Sequence, residues 1–402
     1  MSHNKLLGGV LIIAGTTIGG GMLALPLASA FAGFSLSVLV LIGIWALMTY
    51  TALITLEMNL YFQKGVSISY AAAHTLGKLG KRTSTFAIAI LFYALLSAYI
   101  SGGSSICNQI IYSFSGLSLP PTLMILIFAV IFSSIILAKT RVVDVTNRWL
   151  LLVKVGCFIA MTAIILPQVD IELLSYIPPE ITPQLSGLIP LFFTSFGFHG
   201  SIPSVINYIG LDPKKLRFTF IVGSLTPLVV YILWEILVLG SVPLDGVNSF
   251  ASIKAVGGDV GTFTNILSNI AGGSWIIAAS QGFTLLAIAT SFLGVGLGLF
   301  DFIEEQLTDN NKKPATYITG LCTFVLPIVF SIFYPQGFMI ALGYAAIALS
   351  ILAVIMPALT VWKLRSTTVT TSYTTIGGKA GLLLALLGGV GIILLELDTI
   401  LR

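Results

Sequence analysis

Three consecutive glycines interrupt the first apolar segment of the chain, in the stretch Gly15-Thr16-Thr17-Ile18-Gly19-Gly20-Gly21-Met22. Glycine costs a helix up to about 1 kcal/mol per position relative to alanine. Unwound backbone at membrane depth is tolerated only where it is buried in protein or lines a cavity. The stretch therefore indicates a broken membrane helix, unless the glycines serve the close packing of neighbouring helices.

The composition of the whole chain is that of a membrane protein. Of its 402 residues, 56% are apolar and 8% are charged, against about 25% charged in an average soluble domain. Eleven apolar segments, called spans 1 to 11 in chain order, have the length of a membrane helix: 6–32, 34–56, 84–113, 120–138, 148–166, 186–207, 218–240, 275–300, 315–333, 336–360 and 379–398. None alternates in polarity as barrel strands do. We predict an all-α integral membrane protein with a single transmembrane domain over residues 1–402.

Span 6 carries a second interruption, in the stretch Ser195-Phe196-Gly197-Phe198-His199-Gly200-Ser201-Ile202-Pro203. Both interruptions fall in the first span of a set of five. Because five is odd, consecutive sets enter the membrane from opposite sides, which predicts inverted repeats over about 6–166 and 186–360, with an extra helix at about 379–398. Interrupted spans at corresponding positions of two inverted halves indicate the binding site of a secondary transporter.

The chemistry of such a break suits an amino acid zwitterion. Amides at a half-helix N-terminus attract a carboxylate, and carbonyls at a half-helix C-terminus attract an ammonium group or a cation. A polar stripe on span 3 and polar groups on span 8 either line the pathway or form hydrogen bonds between helices. The predicted substrate-binding residues are Thr16, Thr17, Gly19, Gly20, Gly21, Tyr93, Ser97, Ser101, Phe196, Gly197, Phe198, His199, Gln281 and Thr284.

Ionisable residues inside spans are candidates for function, because a charge at membrane depth is costly unless it is paired or hydrated. Lys154 in span 5 either takes the place of a coupling ion by gaining and losing a proton, or extends to the cytoplasmic face. His199 either gates protons and bonds the substrate, or is a satisfied core histidine. Glu235 is expected to lie at the membrane interface and reach water or lipid headgroups.

Basic residues predict the orientation of the chain, because cytoplasmic loops are rich in Lys and Arg. With the N-terminus inside, 16 of the 19 lysines and arginines lie on one side, only Lys254 and Arg402 lie on the other, and Lys154 lies inside span 5. We therefore predict a cytoplasmic N-terminus and a periplasmic C-terminus. The basic residues are spread over many loops and are not interleaved with aromatic residues, so no nucleic-acid partner is expected.

Three motifs in order resemble the bacterial hydroxy and aromatic amino acid permease family, and most closely its tyrosine-specific members. They are 15–26, 194–201 and Ala289-Thr290-Ser291-Phe292-Leu293-Gly294-Val295, the last followed by Gly298-Leu299-Phe300-Asp301. The resemblance extends over nearly the whole chain. It implies eleven spans, the LeuT-type five-plus-five inverted repeat and proton-coupled uptake of an aromatic amino acid at the inner membrane.

Transporters of the implied fold place a sodium site between spans 1 and 8, where Thr290 and Ser291 lie. A protonated Lys154 reaching this site from span 5 would replace the ion. We therefore expect coupling to a proton without sodium, with Lys154 bonded to backbone near Ala14 and Gly15 or to Ser291.

The sequence thus predicts a transporter in the bacterial inner membrane that moves an aromatic amino acid, L-tyrosine above others, inward with a proton. The alternatives are a sodium-coupled carrier, a broader amino acid carrier and a channel. Its expected partners are the substrate, the proton and the lipid bilayer, and the oligomeric state stays open. No catalytic constellation, metal-ligand spacing or phosphate-binding loop is present in the sequence, so no enzyme activity, metal or cofactor is expected.

Overall fold

The computed structural model describes residues 2–138, 140–180, 182–270, 273–308, 314–367 and 371–401. All regular elements in these ranges are helical. Within them, ten helices are long and apolar enough to cross a membrane, and an eleventh span results when the bent pair Lys5–Thr17 and Gly20–Ser29 is one span. This confirms the prediction of an all-α membrane protein. Four residues of the charge count lie outside the described residues: Lys139, Lys312, Lys313 and Arg402.

The spans are regular helices apart from four local departures: the interruptions of spans 1 and 6, a widened turn in span 10, and a kink at Gly77, with φ +72°, in the helix that contains span 3. Their α-helices are Ser2–Thr17 and Ala24–Ser29 (span 1), Phe34–Tyr61 (span 2), Ile68–Ser115 (span 3), Pro121–Ala138 (span 4), Thr140–Ile165 (span 5), Thr182–Ser195 and Ile202–Ile209 (span 6), Pro213–Leu239 (span 7), Ser274–Leu307 (span 8), Thr316–Phe333 (span 9), Phe338–Ser350 and Met356–Leu364 (span 10), and Gly378–Leu401 (span 11). Short 3₁₀ turns are Gly20–Leu23, Leu166–Gln168 and His199–Ser201. Connecting helices are Ile171–Leu174, Phe250–Ala255 and Val260–Asn269.

Local sequence explains where several helices begin and end. Span 7 begins after Asp212, whose carboxylate accepts hydrogen bonds from the backbone N–H groups of Lys214 and Lys215. Pro213 suits the first helical position because proline has no backbone N–H, and an N–H there would have no partner within the helix. Span 3 ends at Gly116, whose φ of +69° is left-handed and favours glycine.

Span 10 contains one widened turn of π-helix, Ile351–Ile355, directly before Met356 and Pro357. Proline has no backbone N–H, and its ring would clash with the carbonyl four residues earlier in a regular α-helix. A wider turn relieves that clash. The sequence did not lead us to expect this turn.

Pairs of spans pack in a recurring pattern. Span 1 contacts span 7, and span 6 contacts span 2. Span 5 contacts span 8, and span 10 contacts span 3. The first half of span 6 also contacts the second half of span 1, so the two interrupted spans lie side by side.

A buried ion pair joins span 2 to the end of span 10 on the face of the bundle where span 1 begins, which we call the N-terminal face. Arg365 donates from Nε and Nη2 to the two carboxylate oxygens of Glu57, at 2.8 and 2.7 Å. The backbone N–H of Thr375 donates to the same carboxylate at 2.7 Å. Two parallel N–H donors fit a carboxylate well and fix the orientation of both side chains. The pair therefore holds these two spans together at this face.

Candidate functional site

The break in span 1 falls after Thr17. The N–H of Ile18 still bonds to Ala14 O at 2.9 Å, which completes the last helical turn. Gly19 then adopts an extended conformation, with φ −144° and ψ −156°. Because the helix does not continue, the carbonyl groups of Thr17 and Ile18 are free to accept other donors.

Lys154 of span 5 supplies one of those donors. Its ammonium group donates to Ile18 O at 3.0 Å and to Thr290 Oγ1 at 3.2 Å, and its side chain is only 3% exposed. The alternative in which Lys154 extends to the cytoplasmic face is therefore wrong. The partial negative charge at the C-terminal end of the first half-helix favours a cation at this position.

The partners of Lys154 differ from those that the sequence led us to expect, Ala14, Gly15 or Ser291. The helix of span 1 runs to Thr17, so Ala14 O is already bonded to Ile18 N–H. The first carbonyl beyond the helix that meets the lysine is that of Ile18. Of the two hydroxyls of span 8, it is Thr290 that accepts from the ammonium group.

Ser291 of span 8 binds the glycine stretch directly. Its hydroxyl accepts from the N–H of Gly20 at 2.8 Å and donates to Ala287 O at 3.0 Å. A Cβ added to Gly19 would collide with Ser291 Oγ, and one added to Gly20 would come within 2.8 Å of the Tyr99 ring. The glycines are therefore needed for the close approach of spans 3 and 8 to the break.

The break in span 6 meets the break in span 1 through two hydroxyl groups. Ser195, the last residue of the first half-helix of span 6, donates from Oγ to Gly21 O at 3.0 Å. Tyr231 of span 7 places its hydroxyl 2.7 Å from both Thr17 O and Ser195 O, the carbonyls at the two breaks. A tyrosine hydroxyl has one proton, so the two carbonyls share it.

We expect Tyr231→Phe to lower the midpoint of thermal unfolding of the purified protein in detergent. The change leaves two buried carbonyl groups without their donor, which costs about 1 to 3 kcal/mol. Tyr112→Phe is the matched control, because Tyr112 is 52% exposed. Equal unfolding midpoints for Tyr231→Phe and wild type would show that the hydroxyl does not hold the breaks together.

Span 7 also contacts the second half of span 1. Trp234 donates from Nε1 to Met22 O at 3.0 Å. Glu235 accepts from Ser29 Oγ at 2.7 Å and is fully buried. The expectation that Glu235 reaches water or headgroups is therefore wrong, because the second half of span 1 covers it.

The predicted polar stripe of span 3 lies against span 9. Tyr93 donates to Cys322 O at 2.7 Å, and Ser101 donates to Tyr334 O, just after span 9, at 3.3 Å. Ser97 donates to Tyr93 O in its own helix. The structure therefore does not bring these three side chains to the breaks. Tyr99, on another face of the same span, meets Gly20 instead.

Two predicted residues of span 6, Phe196 and His199, contact different spans, span 7 and span 2. The ring of Phe196 packs edge-on against Tyr231 at a centroid distance of 5.1 Å. His199 lies 2.9 Å from Thr51 Oγ1 of span 2 through Nε2, and its Nδ1 is buried without a partner in the described chain. Thr51 also donates to Met48 O, so in the tautomer with a proton on Nε2 its oxygen accepts a hydrogen bond from His199. Phe198 is buried beside this histidine.

Four further predicted residues lie apart from the contacts between the breaks. Gln281 donates to Ser113 Oγ near the end of span 3, at 3.0 Å. The hydroxyls of Thr284, Thr16 and Thr17 donate to carbonyls of their own helices. The Thr17 carbonyl, by contrast, takes part in the site through Tyr231. Gly197 lies beside the side chain of Leu349 of span 10.

The assembled centre is small and specific in its chemistry. It contains two facing helix breaks, an ammonium group between a backbone carbonyl and a threonine hydroxyl, and aromatic rings from spans 3, 6 and 7. Neutral oxygens of this kind are ligands for a hard cation, and here the cation is a lysine. Sequence reasoning missed Tyr231 and Ser195, although Ser195 stands at the start of the second interruption.

Comparisons with known proteins agree with this architecture. The chain matches the tryptophan/tyrosine permease family model over residues 2–396. It is 39% identical to "Tyrosine-specific transport system 1" of Haemophilus influenzae over 388 residues, which cover 96% of this chain and 95% of the relative. It is 35% identical to a "Tryptophan-specific transport protein" of Pseudomonas aeruginosa, with 96% and 93% covered.

A third relative is the "Low affinity tryptophan permease" of Escherichia coli K12, 31% identical with 96% of this chain and 94% of the relative covered. These relatives are named as transport systems or permeases and not as enzymes. The resemblance read from the three sequence motifs is thereby confirmed, and the chain belongs to the tryptophan/tyrosine permease family.

Proposed function

We propose that the protein is a secondary transporter that carries an aromatic amino acid, L-tyrosine above others, into the cell together with a proton. The observation that carries the proposal is the position of the Lys154 ammonium group, between Ile18 O at the break of span 1 and Thr290 of span 8. Alternating access would move the two halves of the molecule around this centre.

The tethered cation supports proton coupling. Two neutral oxygens that accept from an ammonium group would otherwise suit a sodium ion, and a protonated lysine repels a second cation at the same place. Loss of the proton from Lys154 would release Ile18 O and Thr290 from the ammonium group. The proton thus acts where a sodium-coupled carrier would bind its ion.

The substrate preference is supported by the walls of the centre and by the relatives. Tyr99, Phe196 and Tyr231 surround the breaks with aromatic faces, which suit an aromatic side chain. The carboxylate of a zwitterion would bind amides at the glycine stretch, and its ammonium group would bind freed carbonyls. The chain is 39% identical to tyrosine-specific transport system 1 of Haemophilus influenzae and 34% identical to system 2, against 35% for the Pseudomonas tryptophan protein.

A five-plus-five inverted repeat of the LeuT type accounts for the packing pattern. If spans 1 to 5 correspond to spans 6 to 10, the contact of spans 1 and 7 corresponds to that of spans 6 and 2. The contact of spans 5 and 8 likewise corresponds to that of spans 10 and 3. Both members of each pair occur. The basic loops support a cytoplasmic N-terminus and a periplasmic C-terminus in a bacterial inner membrane.

Uptake into proteoliposomes tests the proposal. With sodium-free buffer and an alkaline interior, we expect labelled L-tyrosine to accumulate, to saturate and to show counterflow, as a carrier requires. Unlabelled tryptophan and phenylalanine should compete more strongly than leucine. Accumulation that requires sodium would contradict proton coupling, flux without saturation or counterflow would indicate a channel, and strong competition by leucine would indicate a broader carrier.

A further inference from the structure

A cavity of about 580 Å³ lies between spans 1, 6, 10 and 11 and the connecting helix Phe250–Ala255. It is on the face of the bundle opposite the N-terminal face, which we call the C-terminal face. Leu191 lines it, and the carbonyl of Leu191 accepts from Ser195 Oγ at the break of span 6. The cavity is therefore one helical turn from the centre described above, and its volume is typical of a small-molecule site.

Glu396 of span 11 forms part of the cavity wall and is only 4% exposed. Its carboxyl group packs against Gly343 of span 10, where an added Cβ would collide with Oε1. Across the part of the chain that the structure describes, no hydrogen bond or ion pair reaches this carboxyl group. A buried carboxylate is costly without a partner, and a cationic group bound in the cavity would provide one.

A basic residue stands in the same wall. Lys254, exposed on the connecting helix, holds its ammonium group 4.8 Å from the centroid of the Phe31 ring. Both residues line the cavity, together with the rings of Phe250 and Tyr344. One site thus offers an acidic group, a basic group and aromatic faces, which are the complements of an ammonium group, a carboxylate and an aromatic side chain.

We propose that this cavity is a second binding site for an aromatic amino acid zwitterion, with its ammonium group at Glu396 and its carboxylate at Lys254. The inference rests on the proposed function, because the ligand is the transport substrate held one turn short of the breaks. Occupancy of this site precedes entry to the central site when the protein is open to the C-terminal face.

Equilibrium binding of labelled L-tyrosine and L-tryptophan to the full chain in phosphatidylcholine nanodiscs tests the inference. Phosphatidylcholine carries no primary ammonium group, so its headgroup cannot donate hydrogen bonds to Glu396. We expect two sites per wild-type chain. Gly19→Ala, which weakens the central site, should leave one site at its wild-type affinity, and adding Glu396→Gln should weaken that remaining site at least about tenfold, the factor equivalent to 1.4 kcal/mol. Glu172→Gln is the control, because Glu172 is exposed and lies outside the cavity.

Two fragments of tyrosine separate the roles of the charged residues in the Gly19→Ala background. Tyramine keeps the ammonium group, so its binding should fall with Glu396→Gln and not with Lys254→Gln. 3-(4-Hydroxyphenyl)propionate keeps the carboxylate and should show the reverse. Lys254 is exposed, so its variant tests the site without disturbing buried packing.

The possible failures can be told apart. A wild-type chain with one tyrosine site that is insensitive to Glu396→Gln and Lys254→Gln overturns the second site and leaves the proposed function standing. In nanodiscs made instead with phosphatidylethanolamine, filling of the cavity by that lipid, and not by either amino acid, overturns it as well. Absence of tyrosine and tryptophan binding at both sites overturns the proposed function itself.

Discussion

Lys154→Ala is expected to abolish the accumulation of tyrosine driven by a pH gradient. The change removes the only group that we propose to carry the proton at the centre, and it leaves Ile18 O and Thr290 without their shared cation. Uptake would then be driven only by the substrate gradient, so tyrosine should equilibrate across the membrane without being concentrated. Proteoliposomes with an imposed pH gradient, assayed for both accumulation and counterflow, measure the difference.

Two controls sharpen this experiment. Lys154→Met keeps most of the side-chain volume without the charge, so it should lose accumulation as well if the charge is what matters. Lys214→Ala removes an exposed lysine at the start of span 7 and should behave as wild type. A Lys154→Ala variant that still concentrates tyrosine, with an unchanged pH dependence, would refute the proposed coupling.

Gly19→Ala is expected to weaken tyrosine binding at the central site by about ten- to a hundredfold. The added Cβ collides with Ser291 Oγ, and overpacking of a buried contact costs about 1 to 3 kcal/mol. To avoid the collision, the Ser291 hydroxyl must turn away or span 8 must move, and either change removes the hydrogen bond that Ser291 accepts from Gly20 N–H. Binding of labelled tyrosine to purified protein measures the loss.

Gly15→Ala provides a matched control in the same span, because a Cβ at Gly15 meets nothing within 4 Å. The double variant Gly19→Ala with Ser291→Ala separates the collision of the new Cβ with Ser291 Oγ from the loss of the hydrogen bond between Gly20 N–H and Ser291. Without the Ser291 hydroxyl, the new Cβ lies 3.6 Å from Ser291 Cβ, an ordinary contact. Wild-type affinity in Gly19→Ala alone would show that the close approach at this position is unnecessary.

The sequence predicted the spans and both breaks because these depend on local properties. Runs of apolar residues set the spans, and glycine and proline set the interruptions, so neighbours in space add little. Lys154 was singled out for the same reason, since a charge in an apolar segment is visible along the chain.

What the sequence could not supply is which neighbour each side chain meets. The stripe of span 3 is polar on one face, but hydroxyls such as that of Ser97 bond to carbonyls of their own helix, so a polar face needs no ligand. Glu235 was placed near water by its position along span 7, whereas burial depends on the second half of span 1 beside it. Tyr231 resembles any core tyrosine until the two carbonyls beside its hydroxyl are seen.

In the proposed mechanism, the contact of Lys154 with the break of span 1 would also limit how far the transporter can work uphill. A cation attached to the chain cannot diffuse away, so each cycle of the proposed coupling would move the one proton that this lysine gains and loses. One elementary charge crossing 100 mV releases about 2.3 kcal/mol, which corresponds to an accumulation of about 50-fold. Each unit of pH difference across the membrane multiplies the accumulation ratio by about ten. If Lys154 carries the coupled proton as proposed, the geometry of a single hydrogen-bonded ammonium group sets a ceiling on the concentration ratio that the cell can maintain through this protein.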